Sequence, residues 1–554
     1  MSKSKLLVGL SAAVVLIVVI ISLLNMETRE TAKQEAEQTK KTNQDGPTTA
    51  PSVHVSAKVE QSCMGCHAVD NNGKLARIEY MRKSPEGWSE TIARMERLHG
   101  VKLTDADREQ IIKDLSRERG LAPEEAEQVQ YWLANKQSYA EPVPENVNVQ
   151  NSCMTCHATG RFMAQRRTEE EWKNLKDFHL VSFPSTYLNH RHMDWPKEVD
   201  NVLRYLAEKY PEDTPEWKGW KGKEYDPTGA WKIVGFQGTK GFYIGDSTFA
   251  KKENGFTETK SVRYVNDQSS VQSTGDVQIY SGYMLRAHYM KDGKKVNGVY
   301  NMAESGTMIK GDWSEQKDQG IAGEETYYKV QTEKPEVIYM TQSALKKGST
   351  NQITLYGMNL NKLKNEDLQL PAGVTVENLT AKSGEEVLLT VKVSDTAQIG
   401  SFAISTPQAT VQNNLVVYDN ADTIKVTPDY AIARIGGAGP MDKVSVQFVA
   451  YAYSNGKDGK PGTADDLSLG PVEAKWTLEP FPAGADPQNT QYMGTLDKNG
   501  LFTPQVEGIN PKRTYTQENL GTATVIATAT IDGRTVKAES HLVSTVPDYN
   551  NLIH

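Results

Sequence analysis

The stretch QSCMGCHAVD, residues 61–70, returns ninety residues later as NSCMTCHATG, residues 151–160. The chain of 554 residues holds four cysteines, and all four sit in these two Cys-x-x-Cys-His pentads. Two thiols spaced by two residues can add to the vinyl groups of one porphyrin while the adjacent histidine ligates its iron, so each pentad is a c-type haem attachment signal. Cys63 and Cys66 would bind the first haem c and Cys153 and Cys156 the second, with His67 and His157 on the irons. A Cys₄ zinc site is the rival, but it leaves both following histidines unexplained. A pair of dithiol redox motifs would need a βαβ context that the flanks do not supply.

The neighbourhood of the pentads is helical. Over 58–212, segments such as GWSETIARMERLHG, DADREQIIKDLSRERG, EEEWKNLKDFHL and KEVDNVLRYLAEKYP repeat apolar residues at three- and four-residue spacing. Thr168 followed by Glu171 reads as a helix start, with Thr168 as N-cap. From 225 onward the period falls to two, as in TETKSVRYV and GTMIKGDW, with turn signals at Asn254-Gly255, Asp292-Gly293 and Lys310-Gly311-Asp312. The expected architecture is an all-α dihaem cytochrome c domain (58–212) followed by three antiparallel β domains. These are a closed up-and-down barrel at 225–333 with Trp231 at one end, then immunoglobulin-like sandwiches at 334–420 and 421–554.

Residues 6–24 carry no charge and follow Lys3 and Lys5, so 1–25 reads as a membrane anchor or a signal segment, and the polar stretch 26–57 as a flexible linker. Either reading places the rest outside the cytoplasmic membrane, periplasmic or otherwise extracytoplasmic. A net charge of -8 gives no basic stripe for nucleic acid. In 455–470, Asp458, Asp465 and Asp466 fail the EF-hand spacing and read as a solvated turn.

The second face of each iron follows from laying the halves on their tryptophans. Met95 stands seven residues after Trp88, and His179 seven after Trp172, two turns on and on the same helical face. This predicts His67/Met95 ligation for the first haem and His157/His179 for the second. His99 rivals Met95; His190, His192 and Met193 rival His179. Trp88 and Trp172 read as packing residues.

SPEGWSETIARMERLHGV and RRTEEEWKNLKDFHLVSFP, joined to two pentads, a barrel and two immunoglobulin-like domains, resemble the α subunit of quinohemoprotein amine dehydrogenases. The resemblance spans residues 58–554. It implies an electron-transfer subunit of an oxidoreductase, in a heterotrimer with a propeller β subunit and a γ subunit bearing cysteine tryptophylquinone. Electrons from the oxidative deamination of a primary amine would pass through this chain to an external cytochrome or blue copper protein. No catalytic residue is expected in this chain, since the amine chemistry belongs to the quinone subunit. The alternatives are a stand-alone membrane-tethered dihaem cytochrome serving another oxidoreductase, and a cell-surface binding protein.

Overall fold

The computed structural model describes residues 55–136, 142–330, 334–404 and 414–546. The anchor or signal segment, and all but the last three residues of the linker, lie outside the described residues. Among the described residues no helix is long and apolar enough to cross a membrane. Of the described residues, only Val69–Lys74 belong to the first of two units, and they form a turn in which the Asp70 carboxylate accepts the backbone N–H groups of Asn72 at 2.8 Å and Lys74 at 3.2 Å. The other unit carries both pentads, the barrel and the sheets beyond it.

Four long helices dominate the pentad region: Pro85–His99, Asp105–Arg119, Glu169–Ser182 and Trp195–Lys209. The first starts at Ser84, whose hydroxyl accepts the Gly87 N–H, and ends at Gly100 in the left-handed conformation. The third starts as expected at Thr168, which accepts the Glu171 N–H at 3.3 Å, with three glutamates in the first turn against the positive helix end.

The expected fold class needs correction on two counts. The pentad region is not all-α, because Met81–Lys83 pairs antiparallel with Gln165–Arg167 between the helices. Three residues are too few to display a period of two. The β part is not purely antiparallel either: Ala344–Lys346 runs parallel to Leu415–Tyr418, and Tyr430–Arg434 parallel to the end of Arg534–Thr545. Alternation reports which face is buried and is silent on the partner's direction, so these closures between distant parts of the chain left no mark. The last region has three sheets and a short helix, Gln488–Tyr492, around one core.

The barrel itself matches the expectation. Eight antiparallel strands from Gly229–Gln237 to Ala322–Lys329 form a meander that closes last strand on first. Gly255–Tyr264 shows why: Phe256, Glu258, Lys260, Val262 and Tyr264 all point inward and alternate with more exposed residues. Trp231 is fully buried, its indole N–H on the Pro227 carbonyl. Gly311, expected as a turn residue, lies inside the strand Met308–Glu315. A Cβ there would meet the Val299 carbonyl oxygen at 2.0 Å, so glycine serves close strand approach.

The helical part rests on the barrel through polar ties. Tyr283 donates to the Leu121 carbonyl, Ser281 to that of Ser116, and Lys136 bridges Asp312 and Glu324.

Candidate haem site

Both pentads close the same turn. The helix Ala57–Cys63 ends in the first pentad, where the Cys66 and His67 N–H groups donate back to the Cys63 carbonyl at 3.1 and 2.9 Å. The helix Val147–Ser152 leads into the second, where Cys156 and His157 donate to Cys153 at 3.2 and 3.3 Å. No disulfide joins any two of the four cysteines. Burial raises the Cys63 thiol and lifts Cys153 to about 11.

The histidines are oriented by the backbone. His67 Nδ1 faces the Ala76 carbonyl at 3.0 Å, His157 Nδ1 that of Ala158 at 3.3 Å, and His179 Nδ1 that of Leu175 at 2.6 Å. A carbonyl can only accept, so in the neutral ring the proton sits on Nδ1 and Nε2 keeps a lone pair for a metal. Burial, seconded by the charge of Arg161, holds His157 down to about 4, and burial also lowers His179.

One cavity of about 990 Å³ collects the predicted residues: Cys63, Cys66, His67, Met95, Cys153, Cys156, His157 and His179 all stand in its wall. That volume is at the top of the range of about 300–1,000 Å³ usual for small-molecule sites, and suits large apolar groups. The donor set fits haem: two thiol pairs, imidazoles with a free Nε2, and apolar walls that include Ile92, Leu115, Phe162 and Leu203. Trp195 adds a buried indole N–H without a partner in the same wall. Among the described residues no three His, Cys, Asp or Glu side chains gather closely enough to hold a metal ion, so the four thiols form two pairs and not one tetrahedral set.

The rivals separate. His99 stands in the cavity wall one turn beyond Met95. His190 uses both nitrogens, Nδ1 at the Thr186 carbonyl and Nε2 at the Thr155 hydroxyl, 2.7 and 2.9 Å away. His192 is exposed, and neither His192 nor Met193 is part of the wall. In the 455–470 loop the carboxylates of Asp465 and Asp466 accept backbone N–H groups, as a solvated turn requires.

A local two-fold relation organises the site. Trp88 and Trp172 differ by 84 in number, as do Met95 and His179, Ser84 and Thr168, and Arg82 and Arg166. In the short ladder Arg82 lies directly opposite Arg166, and Met81 and Lys83 opposite Arg167 and Gln165, so corresponding residues meet across a dyad. Each tryptophan is buried, and each indole N–H donates to a carbonyl at the end of the next long helix, Trp88 to Arg119 at 2.9 Å and Trp172 to Tyr210 at 3.0 Å. Beside each lies a cation, Lys83 over Trp88 and Arg167 over Trp172.

At the dyad one carboxylate serves both arginines. Arg82 grips Glu125 with two bonds of 2.7 Å, and Arg166 approaches it at 3.2 Å. Burial pushes the Glu125 carboxyl up, but the Arg82 hydrogen bonds and the charges of Arg82 and Arg166 outweigh it and leave the group below its usual range. Sequence reasoning missed these residues. Their signal was MRKSPEGW against QRRTEEEW, where Arg, Lys/Arg, Ser/Thr, Glu and Trp recur in step.

Four family profiles match consecutive parts of the chain. The haem-binding domain of the quinohemoprotein amine dehydrogenase A alpha subunit covers residues 53–217, and alpha-subunit domains II, III and IV cover 224–326, 334–419 and 424–553. Together with the cavity they define the class, a haem-binding subunit of a multi-subunit amine-oxidising enzyme. The chain belongs to the quinohemoprotein amine dehydrogenase alpha-subunit family. No curated protein matches it. Among solved structures it is similar to a redesigned beta barrel, b11L5F_LGL, with 15% identity over 19% of this chain and 92% of that one and a TM-score of 0.17. It is also similar to human Protocadherin-24 EC1-2, with 13% identity over 38% of this chain and 96% of that one and a TM-score of 0.14.

Proposed function

We propose that this chain is the electron-transfer subunit of its amine dehydrogenase, carrying two covalently bound c-type haems. One would be attached to Cys63 and Cys66 with His67 and Met95 on iron, the other to Cys153 and Cys156 with His157 and His179. The observation that carries the reading is the single cavity into which both pentads, Met95 and His179 converge. Haem iron, when bound, supplies a one-electron couple whose potential its ligands tune. The chain's own residues do the rest. The carbonyls of Ala76, Ala158 and Leu175 fix three imidazoles with Nε2 free. The buried Trp88 and Trp172 anchor the two ligand-bearing helices through their indole hydrogen bonds, and the apolar part of the wall offers surface for a macrocycle to pack on. A thioether on one side and imidazole on the other would set the two potentials apart, giving electrons a direction.

The partners that fit are a quinone-bearing subunit, a propeller subunit and an external cytochrome or copper protein. With every cysteine in a pentad, a thioether-linked quinone has to reside in another chain. The location is outside the cytoplasmic membrane, with residues 6–24 as export signal or tether. The test is a reduced pyridine-adduct spectrum of the purified chain, expected to report two covalent haems. It is followed by addition of a primary amine to the native complex, expected to reduce them. A spectrum with no covalent haem overturns the assignment, and haems that stay oxidised with every amine overturn the role.

A further inference from the structure

The wall of the cavity carries more positive charge than its own acids can match. Arg77, Lys83, Arg94, Arg161 and Arg167 stand in it, and Glu90 is the only carboxylate among its described residues. Glu90 pairs with Arg161 at 2.9 Å. Glu171, behind the wall, serves Arg77 and Arg167 at 3.2 and 3.5 Å. Two cations, Lys83 and Arg94, have no ion pair of their own among the described residues, and the only carboxylate they feel is Glu90, which is already paired with Arg161. Lys83 is 6% exposed, and its ammonium has the Thr91 hydroxyl at 2.6 Å and the Trp88 ring as neighbours. Arg94 lies over the Phe178 ring 5.3 Å from its centre. Burial, aggravated by Arg167 and Arg94 and only partly offset by Glu90, drives the Lys83 ammonium well below its usual range.

A buried cation without an anion is costly, and a cofactor that brings carboxylates into the same cavity removes that cost. We propose that Lys83 and Arg94 receive haem propionates, and that the five-cation cluster is a propionate site shared by the two haems. The sharing follows from its make-up. Arg77, Lys83 and Arg94 come from the first half, and Arg161 and Arg167 from the second, while Lys83 and Arg167 are related by the dyad. The inference rests on the two-haem reading and adds to it the anchor of the acidic edge of each macrocycle.

The experiment is a redox titration of the full-length holoprotein and of its Lys83→Met, Lys83→Arg and Arg94→Gln forms, each first checked for two haems by its pyridine-adduct spectrum. A cation beside a propionate favours the reduced haem. Lys83→Met should therefore lower the midpoint of at least one haem, by a tenfold or larger change in its reduction equilibrium, about 59 mV for one electron. Lys83→Arg should restore it. Arg94→Gln, at a half-buried helix position, should shift a midpoint in the same direction and carries the test where Lys83→Met does not fold. Two haems with unchanged midpoints in both neutral variants overturn the propionate site and leave the haem assignment standing. A wild-type chain without covalent haem overturns the assignment itself.

Discussion

Removing Arg82 tests how the two halves are held together. Its guanidinium is fully buried and makes two bonds of 2.7 Å to Glu125, with further donations to the carbonyls of Gly120 and Glu212 and to the Thr214 hydroxyl. Breaking a buried ion pair from one side costs about 3–5 kcal/mol. In Arg82→Met, Glu125 keeps Arg166 at 3.2 Å, the Thr214 hydroxyl at 2.8 Å and the Ala122 N–H at 2.9 Å, which places the loss at the lower end, about 3 kcal/mol. Arg166→Met removes the longer contact together with bonds to the Met163, Gln165 and Glu125 carbonyls, and should cost about 1–2 kcal/mol. For a unit of 150–250 residues each kcal/mol is worth about 2–4 °C, so the haem region of Arg82→Met should melt about 6–12 °C early, and that of Arg166→Met about half as far. The assay is thermal unfolding of the full chain followed in the haem absorption. Because Glu125 is depressed in the folded state, its contribution is complete above its unfolded value of about 4.3 and is lost as pH falls through the lower folded value, so the difference between the two proteins should narrow on acidification below the unfolded value. An Arg82→Met protein that melts with the wild type at pH 7, or a difference that grows on acidification, would refute the reasoning.

Replacing Cys153 and Cys156 by alanine should halve the covalent haem measured as the pyridine adduct, and the same change at Cys63 and Cys66 should do so independently. Met95→His should lower one midpoint in a redox titration and leave the other in place; two unmoved midpoints would favour His99 as the ligand. Trp88→Phe and Trp172→Phe each delete one buried indole donor and should each cost about 1–2 kcal/mol in urea unfolding, near-equal losses being the signature of the dyad. In the barrel, burial pulls Lys291 down to about 8 against an unfolded value of about 10.4. The unfolded chain binds more protons between those values, so barrel stability should rise with pH across that window, and Lys291→Met should flatten the slope of the urea midpoint.

Much of this was legible because it depends on local rules. The pentads are a five-residue pattern that closes the same turn twice, the Thr168 cap is a four-residue pattern, and Gly255–Tyr264 alternates so regularly that even Glu258 and Lys260 fall on the inner face of the barrel. There Lys260 reaches Glu325 at 2.8 Å, a partner 65 residues away that the strand pattern cannot name. Pairings at a distance were the illegible part. The ladder Met81–Lys83/Gln165–Arg167, the parallel strand closures and the Arg82–Glu125–Arg166 contact each join segments whose local sequence fits several states equally well. The cation cluster was hidden for another reason: arginine and lysine read as surface, and only the cavity shows that these face inward.

The dyad has one more consequence. On the proposed ligation, two copies of either half, assembled as separate chains across the same ladder, would present the same residue to both irons, methionine twice or histidine twice. Writing both halves into one polypeptide frees position 95 from position 179, so the geometry of a symmetric pair is kept while its chemistry is made unequal. A symmetric pair of redox sites has no downhill side. On that ligation this chain would have one, because positions 95 and 179 carry different residues.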